Sequence, residues 1–393
     1  MKVGLLDEPR FWNRLTVMVT ALAIAKGLRF PNLWAATQLQ LGYQFGLVKR
    51  GAAGAALHAL RIPINHYWVF AAVAFSILLL AVAAAVVFVR RHAVGFDAWT
   101  WIPVFASSFA VTYVVHLVGY LDLILLTVTL IALLLPRTVL DYALCVCGML
   151  IHEEFLLMFF PLLWFGWVLE ARRGRGSWAS GNVLGLPLFV FGLAVLLAAA
   201  RPMSAEQVSL AHQTIVAAAD FPVRADFFEV MQRSLADNVH VMVGEYRKAS
   251  WWLDELGASL ALLWVAVFFA WRSWRVLAVA NDSLLKAALL CVAFAPAFIQ
   301  LNGMDLYRWY AFTAVSSFVA YMLVVSRFAA AAAAAPADSE RSRTWVLLLV
   351  ALNLSTGAGM LDDRSVNNLP FIDPVKALIK TTVQLGHLPI PMH

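Results

Sequence analysis

The chain has 393 residues, of which 62% are hydrophobic and only 13% charged, with a formal net charge of +6. A soluble domain carries roughly 25% charged residues, so lipid must be the solvent for much of this surface. The basic residues are scattered between apolar runs rather than clustered, which excludes a nucleic-acid-binding face, and the three cysteines lie inside apolar runs, which excludes a disulfide framework.

A spanning helix needs about 20 mostly apolar residues. The first such run, about Leu15–Trp34, reads as a retained span although it holds Lys26 and Arg29. Trp68–Val89 is uncharged and closed by Arg90 and Arg91. Ala98–Leu121, Asn182–Ala200, Leu256–Trp271, Ala287–Met304, Trp309–Ser326 and Trp345–Leu361 follow the same pattern. Leu123–Pro136, Thr138–Ile151 and Phe155–Leu169 are shorter. The expectation is an all-α polytopic membrane bundle of about eleven spans. Every second connection is basic, which places the N-terminus inside and the C-terminus outside.

The expected organisation is one transmembrane domain over 1–361 and an outer tail over 362–393. Outer loops span 29–67 and 201–255. Phe227, Phe228, Met231, Leu235 and Val239 recur at helical spacing, as in a helix lying on the membrane surface. Ala52–Leu60 is a second apolar stretch suited to that interface.

Ionisable groups at membrane depth are costly and mark function. Four places stand out, all on the expected outer side. Asp122 sits at a turn between two apolar runs, where helix capping is the competing role. His152, Glu153 and Glu154 form another such turn, whose carboxylates suit proton transfer or a metal. Tyr43, Lys49 and Arg50 lie in the stretch Gly42–Gly51, where cations flanked by glycines suit phosphate. Asp305 and Arg308 stand three apart before Trp309, on one face of a helix. The acids also admit a divalent cation, and the cofactor stays open.

The layout resembles the GT-C superfamily of membrane glycosyltransferases and, more loosely, bacterial polysaccharide polymerases. The Tyr43–Gly51 stretch, the turn His152-Glu153-Glu154-Phe155 and the segment Asp305-Leu306-Tyr307-Arg308-Trp309 carry the resemblance. It implies glycosyl transfer in the bacterial inner membrane from a polyprenyl-linked sugar donor to a lipid or saccharide acceptor. Many such enzymes keep a catalytic acid in the first outer loop. Arg29–Tyr67 contains no Asp or Glu, so the resemblance puts the base at Asp122 or the Glu153/Glu154 pair. Lys49, Arg50 and Arg308 would then hold phosphate. A transporter or flippase of lipid-linked sugars, or a non-enzymatic partner in envelope assembly, are the competing readings.

Overall fold

The computed structural model describes residues 8–46, 48–135, 140–172, 176–198, 202–252, 257–301, 303, 305–329 and 340–356. The expected tail over 362–393 lies outside them, as do Leu47, Asn302 and Met304 of the motif stretches. Among the described residues every regular element is helical.

The chain begins with α1 (Pro9–Gly27), α2 (Leu33–Gln40), a 3-10 turn at Tyr43–Phe45 and α3 (Gly51–Ala59). Next come α4 (Tyr67–His92), α5 (Gly95–Ala106), α6 (Phe109–His116), α7 (Leu121–Leu134) and α8 (Leu140–Ile151). The middle holds α9 (Phe155–Met158), α10 (Phe160–Arg172), α11 (Gly176–Ala198), α12 (Ala205–Ala218), α13 (Ala225–Gln232), α14 (Leu235–Tyr246) and the short α15 (Ala249–Trp251). The chain closes with α16 (Gly257–Ala280), α17 (Ser283–Phe294), a 3-10 stretch Ala295–Leu301, α18 (Leu306–Arg327) and α19 (Glu340–Ser355).

Among the described residues five helical stretches are long and apolar enough to cross a membrane: Tyr67–His92, Phe155–Arg172, Ser259–Val279, Ser283–Leu301 and Leu306–Arg327. The bent pair Ala98–Ala106 and Phe109–His116 makes a sixth. Leu121–Leu134, Leu140–Ile151, Gly181–Val195 and Arg343–Ser355 are apolar but shorter.

Helix α18 is the axis of the bundle. In its apolar window 94% of residues are buried, against 28% for α4 on the periphery. Ala311, Ala314, Ser317 and Ala320 keep α18 thin enough for neighbours to pack closely on several sides. Its C-terminus ties to those of α4 and α10: His92 Nδ1 lies 2.9 Å from Ser326 Oγ, and Arg327 pairs with Glu170 at 2.6 Å. Arg91 of α4 donates to the Leu134 carbonyl at the end of α7. Helices α4, α7 and α18 therefore run in the same direction, and their N-termini gather at the other end.

Several expected elements differ in detail. The first run, Leu15–Trp34, is interrupted, with α1 ending at Gly27 and α2 starting at Leu33, and Asn32 caps α2 by accepting from the Ala35 backbone. The run Ala98–Leu121 is bent by 56° at Ser107–Ser108. Pro103 removes a backbone donor, and the hydroxyls of Ser107 and Ser108 donate back to Val104 and Phe105 carbonyls. Asn353 of α19 seals the bend by donating to the Val104 carbonyl at 2.7 Å. The expected surface helix through Phe227–Val239 is two helices, because Ser234 and Asp237 form a reciprocal cap that starts α14 anew.

The segments 29–67 and 202–232 interlock into one layer over the N-terminal end of α4. Phe45, Val48, Met203, Ile215, Phe227 and Phe228 belong to its own small apolar core. Asp220 accepts from the Tyr67 backbone at 2.8 Å and sits 3.1 Å from His66 Nδ1. Thr37 accepts from the Arg224 backbone, and Gln207 donates to the Phe45 carbonyl.

Within this layer α3 lies directly on α2 through Gly54. A Cβ there would stand 2.1 Å from the Leu41 carbonyl oxygen and 2.5 Å from that of Leu39. Gly54→Ala is expected to push α3 off α2 and to cost about 1–3 kcal/mol, read as a lower melting temperature in detergent. Gly192→Ala in α11, where a Cβ meets nothing within 4 Å, is expected to melt at the parent temperature or slightly above. Equal melting of both variants and parent would show that the α2–α3 contact has slack.

Candidate functional site

The N-terminal ends of α3, α7 and α18 and the turn between α8 and α9 converge on one cluster of charges. Each contributes groups that its local structure holds in place. Arg50 is the N-cap residue of α3 and adopts φ +61, in the left-handed region that bulky residues avoid. Such strain persists when contacts over-determine it, and here Glu153 supplies them. Arg50 Nη2 donates to Glu153 Oε1 at 2.7 Å, and Nε donates to both carboxylate oxygens at 3.2 Å.

Asp122 lies in the first turn of α7, and Tyr120 occupies the N-cap position. Asp122 is fully buried. Arg308, in the first turn of α18, donates from Nη2 to both Asp122 oxygens at 2.7 Å. The same guanidinium reaches Asp305 at 3.5 Å through Nη1 and Glu154 at 3.2 Å through Nη2. Its flat face lies 4.7 Å from the Trp309 ring centroid and 6.0 Å from that of Tyr120.

Glu154 stands between the two arginines. Its Oε1 is 4.0 Å from Arg50 Nη2, and its Oε2 is 3.2 Å from Arg308 Nη2. Its side chain is 12% exposed, against 39% for Glu153. Oε2 is buried and takes no hydrogen bond, although His152 Nε2 stands 3.4 Å away. The Glu154 backbone N–H donates to His152 Nδ1 at 3.2 Å, so the neutral ring carries its proton on Nε2, towards the Glu154 carboxyl.

The turn residues titrate far apart. Burial pushes the Glu154 carboxyl up to about 8, and the two arginines only partly offset this. Burial also opposes ionisation of Glu153, but the Arg50 charge and its hydrogen bonds outweigh it and hold that carboxyl below the usual range. Burial and the Arg50 charge push His152 well below its ordinary value, so it stays neutral at physiological pH.

Asp122, His152, Glu153, Glu154, Arg50, Asp305 and Arg308, singled out from the sequence, thus meet in one place. Tyr43 and Lys49 stand beside it rather than in it. The Tyr43 ring packs where a Gly51 Cβ would go, 3.1 Å from that point. Lys49 Nζ donates to the Arg233 carbonyl at 3.5 Å. No group of three or more His, Cys, Asp or Glu able to hold a metal ion occurs among the described residues. The carboxylates are instead interleaved with guanidinium groups.

The sequence reading gave no role to a second polar shelf beside the cluster. Buried Arg29 donates to the His116 carbonyl at 2.8 Å, and Asn32 donates to Tyr120 Oη at 2.7 Å. Tyr113 lies within electrostatic reach of Arg29, Tyr120, Asp305 and Arg308. The signal for Arg29 was present: a lone cation at the end of an apolar run.

An apolar cavity of about 490 Å³ runs through the bundle, its lining reaching Leu123, the residue after Asp122. Its walls come from α1, α4, α5, α6, α7 and α18. Leu123 and Val115 line the end next to Asp122 and His116, while Asn13 and Arg90 line the far end. Along α4 the lining runs from Leu78 to Arg90, about 18 Å at the helical rise. Val17 and Val86 of the lining are exposed on the bundle's outer surface.

Arg308 and Asp122 form the most deeply buried pair of this cluster. Arg308→Met is expected to strip the buried Asp122 of its cation, at a cost of about 3–5 kcal/mol. The double variant Arg308→Met/Asp122→Leu is expected to recover much of that loss in unfolding measurements in detergent. Additive losses would show that the two groups do not depend on each other. No family model, no curated protein and no solved structure matches this chain, so the function is argued from this geometry.

Proposed function

We propose that the protein is a membrane glycosyltransferase or polymerase that takes a sugar from a polyprenyl-linked donor. The convergence of Arg50 and Arg308 on a single carboxylate carries this reading. Two guanidinium groups side by side suit a phosphate or diphosphate, whose planar oxygen edges they match. The bundle's cavity is lined by apolar side chains over about 18 Å of helix, and suits the tail of the same donor. The resemblance to the GT-C superfamily points the same way.

In this reading Glu153 accepts the proton of the attacking hydroxyl as Arg50 turns its charge from Glu153 to the leaving phosphate. It is the more open carboxylate of the turn, and Arg50 orients it. Asp122 is sealed from any substrate and holds Arg308 in place. Arg308 and Arg50 neutralise the leaving phosphate as the glycosidic bond breaks. Transport is the weaker reading, because a translocation path needs polar groups near the midplane. Here the titratable groups gather at the two ends of the bundle, and the cavity between them is apolar.

In this reading α1 and the four shorter apolar helices add to the six candidate spans, which makes about eleven crossings. We assign the site end to the outer face of a bacterial inner membrane. With the native cysteines replaced, Leu60→Cys is expected to react with an impermeant maleimide from outside, and Arg90→Cys only after permeabilisation. The reverse labelling would invert the orientation.

Glu153→Gln is expected to lower kcat for transfer from a polyprenyl-linked sugar by about a hundredfold or more while leaving the protein folded. Arg308→Lys is expected to lower kcat as well, since an ammonium cannot make the same forked contacts. Full turnover by Glu153→Gln would remove this carboxylate from the chemistry.

A further inference from the structure

The carboxylates of the cluster are not held equally. Glu153 and Asp122 each take contacts of 2.7 Å from one arginine. Glu154 touches both arginines yet is bonded closely to neither, at 4.0 and 3.2 Å, and its Oε2 receives no hydrogen bond. It is held less closely than Glu153 or Asp122, and it stands between the two arginines. A charged carboxylate there neutralises both cations. A neutral carboxyl removes one negative charge from between them and leaves Arg50 paired with Glu153 and Arg308 with Asp122, so an approaching anion meets less repulsion.

We propose that Glu154 is a stand-in for the substrate's anionic group: ionised, it fills the space between Arg50 and Arg308, and protonated, it yields that space to the phosphoryl headgroup of a lipid. This rests on the reading of the site as a phosphate site. Binding of the headgroup to the ionised protein then takes up one proton from water, which ends on the Glu154 carboxyl. The charged and titratable groups facing Glu154 are Arg50 at the start of α3, Asp122 on α7, His152 and Glu153 in its own turn, and Asp305 and Arg308 at the start of α18. His152 stays neutral, and both arginines stay charged throughout the range concerned. The Glu154 carboxyl titrates near 8, so the space is open at neutral pH and closes above it.

Sulfate is the probe, because its charge is constant from pH 6 to 10. Calorimetric titration of the purified full chain in detergent is expected to show constant sulfate affinity up to about pH 8. Above that the affinity falls about tenfold per pH unit. Glu154→Gln is expected to bind sulfate as well as the parent at pH 7 and to lose the fall above pH 8. At pH 9, titrations of the parent in buffers of different ionisation enthalpy are expected to show close to one proton taken up per sulfate, and close to none at pH 7. This measurement stands even if the variant does not fold. Farnesyl phosphate is expected to displace sulfate competitively.

A flat affinity in the parent, or the same fall in Glu154→Gln, would overturn the proposal. So would loss of sulfate binding at pH 7 in a folded Glu154→Gln, since Glu154 would then be a ligand rather than a stand-in. Failure of farnesyl phosphate to displace sulfate would overturn the lipid headgroup as the occupant. None of these measurements involves sugar transfer, so an absence of transferase activity would count against the proposed function and not against the proton-linked anion site.

Discussion

The contact between Arg308 and Asp122 holds the site together. An ion pair with one partner fully buried gains strength from its low-dielectric surroundings, but each member alone carries a large desolvation cost. Neither group can leave without stranding the other. The pair therefore fixes the start of α7 against the start of α18, and α18 is the axis on which the bundle packs. Every other charge in the cluster takes its position from that join. Glu154 reaches Arg308, Arg50 reaches the Glu153/Glu154 turn, and Trp309 backs the guanidinium.

The same constraint explains why the cluster tolerates so many carboxylates. Asp122, Glu153, Glu154 and Asp305 would repel one another if placed alone. Two arginines threaded between them turn repulsion into a mesh in which each cation meets more than one anion. The acid that fits least well is the one whose proton is retained near neutral pH. A carboxylate without a close partner is free to respond to a ligand, whereas a fully satisfied network has no reason to.

Much of this was legible in the sequence because charge is conspicuous where apolar residues dominate. Asp122, the His152–Glu154 turn, Arg50 and Arg308 each interrupt or flank an apolar run, and the alternation of basic connections puts them at one end. The pairing was not legible. Asp305 and Arg308 are local, but Arg308 spends its shortest contacts on Asp122, 186 positions away. Tyr43 and Lys49 share a motif with Arg50, yet the left-handed turn at Arg50 sends its side chain to Glu153, while Lys49 reaches Arg233. The bend at Ser107–Ser108 was hidden because serine and proline inside a long apolar run read equally well as a straight span. Arg29 was read as a defect in the first span because its acceptor, the His116 carbonyl, belongs to a distant helix.

The interlocked layer built from 29–67 and 202–232 has a consequence for how the protein is made. Its ties join residues 162 and 187 positions apart. A chain emerging at about 5–20 residues per second carries the first segment for many seconds before its partner exists. During that interval Arg50 has no Glu153, and the apolar face of α2 has no α13 to cover it. The charge mesh cannot close until α18 brings in Arg308. A nascent or truncated chain ending before α18 therefore holds most of the candidate spans but lacks the Arg308 contacts that close the cluster, so the site is completed only when one of the last helices takes its place.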